Sequence, residues 1–301
     1  MENAPPHLVV CGLGYTGTAI AAAARAAGFA VVGTARAPAG RPGSDGVAIV
    51  GFDDAGPAIA AASHLLVTAG PEPTGDPVLA RHRDAIGAAS GLRWIGYLST
   101  TGVYGDRGGG WVDEDSQPAP ASARTRRRID AEAMWAGFSS GRAVDIFRVG
   151  GIYGPGRSVL DDVRAGIARR TIKPGHAFGR IHRTDIARAV LAAMMQDKAP
   201  GVRILNLVDD EPAESAAVIE AASRLLGVEP PEAILFAQAW ERMSPMARSF
   251  WSENRRVASA KTRAMLGIEW LYPSYREGLP AILAEERLPA ILAEERGQGP
   301  A

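Results

Sequence analysis

Three glycines near the start of the chain have the spacing of a phosphate-binding turn. Gly12, Gly14 and Gly17 form the pattern Gly-x-Gly-x-x-Gly, after the apolar segment Leu8–Val10 and before an alanine-rich run. Gly12 would permit a tight turn, Gly14 would let the backbone approach a diphosphate, and Gly17 would let a helix pack closely on its strand. The phosphates would then lie over the free N–H groups at the positive end of that helix. Glycine-rich turns are common, but a strand before and a helix after this one favour a dinucleotide site.

The residues after the second predicted strand, Phe29–Thr34, bear on which dinucleotide binds. NAD sites place an acidic residue about 20 positions beyond the glycines to accept the ribose hydroxyls. Here Arg36 follows the strand, with Arg41 close behind. A guanidinium binds a 2′-phosphate through paired hydrogen bonds, whereas a carboxylate would repel it, so we expect NADP rather than NAD. The alternative is a solvated arginine in an arginine-rich chain.

Further cofactor contacts are expected within the glycine motif and after the next strands, because ligands of parallel sheets bind beyond the carboxyl ends of the strands. The remaining candidates are Tyr15, Thr16, Asp53, Thr68, Ala69, Gly70 and Ser99. Asp53 follows the third predicted strand, where it would reach the adenine or equally well cap the next helix.

Composition and charge exclude several classes of function. Apolar residues make up 47% and charged residues 22% of the 301, as in ordinary globular proteins, and 33 basic side chains balance 33 acidic ones. We therefore expect a small-molecule substrate and no nucleic acid or membrane partner. Cys11 is the only cysteine, and the five histidines show no metal-ligand spacing, so no metal site is expected. The chain shows no apolar run of 18 residues and no signal-peptide pattern at its start, which indicates a cytoplasmic protein.

Alternating apolar strands and helical runs predict an α/β fold with a doubly wound, mainly parallel sheet. Predicted strands also cover 47–50, 64–69, 94–98, 143–149 and 202–208, and predicted helices cover 18–27, 54–62, 77–90, 122–138, 158–170, a run ending at 195, 213–226 and 255–266. The dinucleotide domain is predicted over 1–155 and about 180–208. A smaller C-terminal substrate lobe is predicted over about 156–179 and 209–287, with a loosely attached tail over 288–301.

Four motifs together resemble those of a known family. They are Gly12–Gly17, Ser99-Thr-Thr-Gly-Val-Tyr-Gly105, Arg148-Val-Gly-Gly-Ile-Tyr-Gly-Pro-Gly156 and Arg180-Ile-His-x-x-Asp185. In this order and spacing, over roughly residues 7–276, the chain resembles an atypical extended short-chain dehydrogenase/reductase of the NAD(P)-dependent epimerase and dehydratase group. The resemblance implies a Rossmann-type sheet and an NADP-preferring oxidoreductase or epimerase acting on a small hydroxyl or carbonyl substrate, as a monomer or homodimer.

The chain departs from the family at the pair that does the proton chemistry. Family members use Tyr-x-x-x-Lys on the helix after the Ser/Thr-rich loop, where the lysine lowers the tyrosine pKa. Counting back from Glu132, which matches the family's glutamate, places Arg124 at the tyrosine position and Arg128 at the lysine position. A guanidinium stays protonated near neutral pH and cannot act as a base there. Catalysis by the usual pair is therefore excluded.

Three residues are candidates for replacing that pair. Thr100 matches the family's catalytic Ser/Thr, Tyr104 would supply a phenol, and Arg128 would supply positive charge. Tyr104 would alternatively be a structural tyrosine that packs the loop. The arginine run Arg124–Arg128 would be either a solvated helix face or a clamp for an anionic substrate.

Substrate contacts are predicted for Tyr153, Arg157 and His182, from the third and fourth motifs. His182 and Asp185 would alternatively hold the substrate lobe onto the sheet. Because the usual catalytic pair is missing, a second function is kept open. The chain would then bind NAD(P) without turning it over, as a redox sensor or regulatory protein.

The C-terminal region contains a tandem duplication. Leu279–Arg287 is repeated identically as Leu288–Arg296. Nine residues are two and a half helical turns, so the second apolar face would point away from the first. Pro289 also disfavours a helix running through the junction. We expect a loosely attached short second helix that is not needed for cofactor binding, or alternatively a partner-binding helix.

Overall fold

The computed structural model describes residues 5–37 and 46–297. The strands are β1 His7–Cys11, β2 Ala30–Ala35, β3 Ala48–Gly51, β4 His64–Val67, β5 Trp94–Thr100, β6 Trp111–Val112, β7 Ala143–Val149, β8 Gly151–Tyr153, β9 Thr171–Ile172, β10 Arg180–His182, β11 Gly201–Leu207, β12 Ile234–Leu235 and β13 Arg256–Val257. The helices are α1 Tyr15–Ala26, α2 Gly56–Ala60, α3 Pro77–Ala88, α4 Ala123–Ala136, α5 Val159–Arg164, α6 Arg183–Met195, α7 Ser215–Leu226, α8 Phe236–Arg242, α9 Pro245–Trp251, α10 Ala260–Leu266 and α11 Tyr275–Gly297.

The central sheet has seven strands in the described part of the chain, in the order β11-β7-β5-β4-β1-β2-β3. Every neighbouring pair is parallel. The strand order reverses between β1 and β4, and the crevice beyond the carboxyl ends of two such strands is where open α/β sheets bind ligands. The predicted α/β class and doubly wound sheet are confirmed.

Apolar side chains cover both faces of the sheet, which explains why its strands are short continuous apolar runs. In β1, Leu8 and Val10 pack in one core layer together with α1 and α6. Val9 and Cys11 point to the opposite face and pack with α2, α3 and α4. Successive residues of a strand point to opposite faces, so β1 contributes to both layers.

A smaller lobe covers the carboxyl edge of the sheet. Its core joins α5, α7 and the first part of α11 through Leu160, Val218, Ala222, Leu279 and Ile282. The strand β13 pairs with β6, which ties the lobe to the loop after β5. The elements of the lobe therefore surround the place where the sequence predicts a substrate.

The lobe contains the main differences from the sequence prediction. The helix expected over 158–170 ends at Arg164 and is followed by β9. Two short helices, α8 and α9, were not predicted, and the helix expected over 255–266 is β13 followed by α10.

The expected break at Pro289 was also wrong, because α11 continues to Gly297. Alanine, leucine, glutamate and arginine, all strong helix formers, flank this proline on both sides. Within the described ranges, no helix has the length and apolarity needed to cross a membrane.

Candidate functional site

The glycine turn has the geometry that its sequence predicts. Gly12 has a φ of 111°, a conformation that side chains rarely adopt, and its N–H donates to Thr34 Oγ1 at 3.0 Å. A Cβ at Gly17 would collide with the Gly12 carbonyl oxygen, so the helix can approach its strand only with glycine there. A Cβ at Gly14 would meet nothing within 4 Å. Backbone is therefore open to a ligand at the middle glycine.

The start of α1 fits the diphosphate of a dinucleotide. The helix begins after Gly14, no side chain caps it, and its first turn carries no acidic residue. The first N–H groups of a helix have no partner within the helix and carry partial positive charge. Tyr15 and Thr16 supply two of these groups, and the Thr68 hydroxyl at the end of β4 donates to the Gly12 carbonyl at 2.5 Å, which holds the turn against the neighbouring strand.

The two candidates for the adenosine end lie after β2 and β3. Arg36 follows β2 directly and is exposed. Asp53 pairs with Arg81 at 3.1 Å, with both side chains largely in solvent. Helix α2 begins after Ala55 without a side-chain cap, so Asp53 does not cap it. Arg41 lies outside the described residues.

Arg128 reaches across the carboxyl ends of β4 and β5. Its Nη1 donates to the Leu98 carbonyl at 2.8 Å and to the Tyr97 hydroxyl at 3.2 Å. The guanidinium lies so close to Gly70 that a Cβ at that position would collide with it. Arg128 therefore holds its charge beside the Thr68–Gly70 segment, at the crevice between the glycine turn and β5.

Thr100 ends β5 at the edge of a cavity of about 490 Å³. Its Oγ1 accepts a hydrogen bond from the Gly102 N–H at 3.1 Å. A threonine hydroxyl also has one proton to donate. Thr100 can thus donate to a ligand in the cavity while the Gly102 N–H fixes its position.

Ser99 is occupied by an internal network rather than open to the crevice. Its hydroxyl donates to Glu132 Oε1 at 2.5 Å, and Glu132 forms a buried ion pair with Arg148 at 2.8 Å. The glutamate that marks the family helix therefore fixes α4 to β5 and β7. The backbone of Ser99 remains at the strand end where a cofactor contact is predicted.

Tyr104 is not placed as a catalytic phenol. Its side chain is 0% exposed, its hydroxyl donates to Asn206 Oδ1 at 2.8 Å, and the Arg148 guanidinium lies 4.8 Å from its ring centre. Burial raises the pKa of Tyr104 in spite of the opposing effect of Arg148. A buried phenol that holds its proton more tightly supports the structural alternative, and the catalytic prediction is corrected.

The three predicted substrate contacts lie away from the cavity at Thr100. The Tyr153 hydroxyl donates to the Ser274 carbonyl at 3.2 Å. Arg157 is exposed, with its guanidinium 5.6 Å from the Tyr15 ring. None of the three predicted residues lines this cavity. Their side chains instead contact one another, the start of α1 and the segment before α11.

His182 caps α6, since its Nδ1 accepts the Thr184 N–H at 3.2 Å. Burial lowers the pKa of His182 to about 4, so its ring is neutral near pH 7. Asp185 accepts the N–H groups of Leu271 and Tyr272 at 2.8 and 2.9 Å. Both residues therefore hold the lobe onto the sheet, which was the alternative given for them.

Residues that the sequence did not indicate form the wall of the cavity. Phe178, Phe250 and Trp251 line it together with Arg180 and Arg255. Phe178 precedes β10, Phe250 and Trp251 end α9, and Arg255 precedes β13, whereas Arg180 begins the fourth motif of the sequence. Within residues 5–37 and 46–297, no cluster of three His, Cys, Asp or Glu residues could hold a metal ion.

No protein-family model matches the chain. A conserved protein of unknown function from Silicibacter pomeroyi DSS is 40% identical, with a TM-score of 0.87, over 93% of this chain and 99% of that one.

Two other solved structures share the fold at lower identity. The human epimerase family protein SDR39U1, solved with NADPH, is 20% identical over 92% of this chain and 98% of its own, with a TM-score of 0.73. MoeE5 in complex with UDP-glucuronic acid and NAD is 19% identical over 94% of this chain and 99% of its own, with a TM-score of 0.72.

The curated relatives are matched over less than two-thirds of their length. The 3-diazoavenalumate denitrifying reductase of a Streptomyces species is 29% identical over 201 residues, which are 64% of this chain and 65% of that protein. Protein YeeZ of Escherichia coli is 30% identical over 138 residues, which are 45% of this chain and 47% of that protein. The chain belongs to the same family as the conserved Silicibacter pomeroyi protein, and its fold is that of the NAD-dependent epimerase/dehydratase-like extended short-chain dehydrogenase/reductases.

Proposed function

We propose that the chain is an NADP-preferring oxidoreductase or epimerase that acts on a small hydroxyl or carbonyl substrate. The observation that carries the proposal is the position of the cavity at Thr100. It opens at the same carboxyl edge of the sheet as the glycine turn and the uncapped start of α1. A dinucleotide lying across the strand-order reversal would thus bring its reactive end toward that cavity.

Support for a nicotinamide cofactor comes from the site and from the neighbours. Gly12, Gly14 and Gly17 meet the steric requirements of a diphosphate turn, and the neighbours SDR39U1 and MoeE5 were solved with NADPH and NAD. When bound, a nicotinamide dinucleotide supplies or accepts a hydride at its ring. Arg36 favours NADP, because it is exposed after β2 and forms no ion pair with another described residue.

The chain's own residues position the substrate and stabilise charge. The Thr100 hydroxyl donates a hydrogen bond to the reacting oxygen, and Arg128 supplies positive charge at the ends of β4 and β5. Neither group can act as a base near pH 7.

The absence of the Tyr-x-x-x-Lys pair favours a second candidate function. With arginines at positions 124 and 128 and with Tyr104 buried, the chain would bind NAD(P) without turnover, as a redox sensor or regulatory protein. Following the absorbance at 340 nm of NADPH with a panel of aldehydes and ketones separates the two candidates. Consumption of NADPH supports the enzyme, whereas tight binding without consumption across the panel supports the sensor.

The cofactor proposal is tested by titration with NADPH, NADP and NAD, followed by calorimetry. We expect Arg36→Gln to weaken NADP binding about tenfold to hundredfold, the effect of a lost charge-assisted hydrogen bond, and to leave NAD binding unchanged. Arg93→Gln is the matched control, because this exposed arginine precedes β5 at the opposite edge of the sheet. Equal losses for NADP and NAD would refute the role of Arg36, and no binding of either nucleotide would refute the proposal itself.

A further inference from the structure

Arg124 lies where family members place their catalytic tyrosine, and its side chain faces the cavity. It is the second residue of α4, and it lines the same space as Thr100 and Gly102. Its guanidinium lies 4.8 Å from the centre of the Phe250 ring. Lining the cavity distinguishes Arg124 from a merely solvated residue of the helix face.

The cavity carries positive charge that its own acidic residue does not balance. Arg255 pairs with Glu253 at 2.7 Å, so these two charges offset each other. Arg180 donates to the Phe178 and Ala213 carbonyls at 2.9 and 3.0 Å. Arg124 has no carboxylate within ion-pair distance in the described ranges. An anion entering the cavity would therefore meet an unpaired guanidinium.

Desolvation acts on Arg124 as well. Desolvation lowers the pKa of Arg124 even though much of the residue is exposed, the like charges of Arg128 and Arg255 add to the effect, and Glu253 opposes it. The like charges disfavour the charged guanidinium in the free protein, and a bound anion would offset that repulsion.

The other walls of the cavity are aromatic. Phe178 and Trp251 pack edge to face with their ring centres 5.1 Å apart, and Phe250 lies beneath the Arg124 guanidinium. The flat ring of a ligand packs favourably against such surfaces, whereas an inorganic anion has no ring to place there. The volume of about 490 Å³ falls in the range of small-molecule sites and admits a compound with one ring.

We propose that the cavity binds a small aromatic carboxylate, with its carboxylate paired to Arg124 and its ring against Phe250 and Trp251. The inference rests on the proposed function in one respect, since the reacting group of the ligand would face Thr100. Arg124 is thus a specificity residue that occupies the place of the missing tyrosine.

The test uses the full chain with saturating NADPH and measures binding of trans-cinnamate by calorimetry. The neutral isostere trans-cinnamamide and the anion without a ring, acetate, are the comparison ligands. We expect cinnamate to bind at least tenfold more tightly than either. Phenyl phosphate distinguishes a carboxylate site from a phosphate site, and tighter binding of phenyl phosphate than of cinnamate would overturn the assignment.

Substitutions in α4 test which residue binds the carboxylate of the ligand. We expect Arg124→Gln to weaken cinnamate binding about tenfold to hundredfold and to leave cinnamamide binding unchanged, with partial recovery in Arg124→Lys. The matched control is Arg126→Gln, an exposed arginine on the same helix, which should bind cinnamate like the parent chain. Thermal unfolding of each variant shows that it folds.

Several outcomes would overturn the inference. One is equal affinity for cinnamate and cinnamamide. The others are an unchanged affinity for cinnamate in Arg124→Gln and no binding of cinnamate to the NADPH-bound chain. A separate NADPH titration keeps the two proposals apart. Cinnamate binding that depends on Arg124 in a chain that fails to bind NADPH would refute the cofactor proposal and leave the anion site standing.

Discussion

At the scale of single residues, two arginines four positions apart contact different parts of the protein. Counting from Glu132 places Arg124 and Arg128 at the tyrosine and lysine positions, and the sequence alone leaves a solvated face and an anion clamp open. In the structure Arg124 faces the cavity, while Arg128 reaches back to Gly70 and the Leu98 carbonyl. Helix spacing puts both on one face, but only the packing of α4 against β5 decides what each long side chain touches.

Sequence reasoning at this scale succeeded where backbone conformation determines the residue type. The turn at Gly12 and the close packing at Gly17 each demand glycine, whereas the space at Gly14 would also admit a side chain, so its part in cofactor approach stays a prediction. Tyr104 was assigned incorrectly because a tyrosine four residues after Thr100 can point into the cleft or into the core. Its partner Asn206 lies 102 positions away in sequence, and no local pattern predicts that contact.

We expect Tyr104→Phe to lower the free energy of unfolding by about 1 to 2 kcal/mol, because it leaves the buried Asn206 oxygen without its donor. Affinity for NADPH should not change. Urea unfolding and an NADPH titration measure the two quantities. Tyr272→Phe is the control, since its ring is half-buried and its hydroxyl bonds to no described residue. Unchanged stability together with a tenfold loss of turnover would return Tyr104 to the active site.

At the scale of elements, strands of the central sheet were predictable and the small elements of the lobe were not. Strands buried on both faces are rich in apolar residues, so β1, β4 and β7 stand out in the sequence, although β7 also buries Asp145 and Arg148. The two-residue strand β13 has no periodicity of its own. It exists because the loop after β5 offers β6 as a partner.

Helix α6 anchors the lobe through one carboxylate. Asp185 is 0% exposed and accepts two backbone N–H groups from the segment before α11 as well as a bond from Arg188. We expect Asp185→Asn to destabilise the protein by roughly 1 to 3 kcal/mol, because an amide cannot accept both N–H groups and the Arg188 bond as the carboxylate does.

Hydrogen exchange measures which part of the protein loses stability in Asp185→Asn. We expect the backbone amides of the first half of α11 to exchange faster in this variant than in the parent chain. Asp53→Asn is the matched control, because its ion pair with Arg81 is exposed and should contribute less than about 1 kcal/mol. Unchanged protection of α11 in Asp185→Asn would show that the lobe is held by its apolar core alone.

The second copy of the C-terminal repeat can be removed while the packed first copy is kept. Leu279 and Ile282 of the first copy pack in the lobe core, and Glu286 pairs with Arg164 at 2.7 Å. Removal of residues 288–301 keeps these contacts, so we expect unchanged NADPH affinity and an unchanged melting temperature. Extending the deletion to residues 279–301 removes the packed copy and should unfold the lobe. A large loss of NADPH affinity from the shorter deletion would show that the second copy is part of the fold.

At the scale of the whole molecule, packing between distant elements buries ionisable groups that an isolated strand or helix would leave in water. Burial lowers the pKa of His64 and of His182 to about 4, aided by Arg93 and Arg183 respectively and opposed at His182 by Asp185. The sequence showed these histidines but not their burial. That burial depends on residues from distant elements that pack around each ring.

The pKa of Asp209 is shifted in the opposite direction. Its carboxylate is 2% exposed, and both oxygens lack a hydrogen-bond partner among the described residues. Burial raises the pKa of Asp209 to about 8, with smaller contributions from Asp210 and Glu211, while Arg180 opposes the shift. The native protein therefore keeps a proton on Asp209 at pH values where the unfolded chain has lost it.

These opposing shifts predict a stability maximum near pH 6.5. Between about pH 4 and 6.5 the unfolded chain binds protons at His64 and His182 that the native state does not, which outweighs the single proton held by native Asp209, so stability rises with pH. His176, whose pKa burial also lowers, adds to the effect of the other two histidines at acidic pH. As the histidines of the unfolded chain lose their protons above pH 6.5, Asp209 becomes the main difference between the two states. The native state then binds more protons, and stability falls as the pH rises, by at most about 1.4 kcal/mol per pH unit.

Urea unfolding from pH 4.5 to 8.5 measures this profile, and Asp209→Asn isolates its alkaline side. Because an amide does not titrate, the variant should lose the fall above pH 6.5 and keep the rise below it. Asp162→Asn is the control, since burial raises the pKa of this partly exposed carboxyl without leaving it enclosed. A fall above pH 6.5 that persists in Asp209→Asn would mean that native Asp209 is already ionised beside Arg180. The carboxylate would then neutralise that arginine, and Arg124 would be left as the sole source of unbalanced charge in the cavity wall.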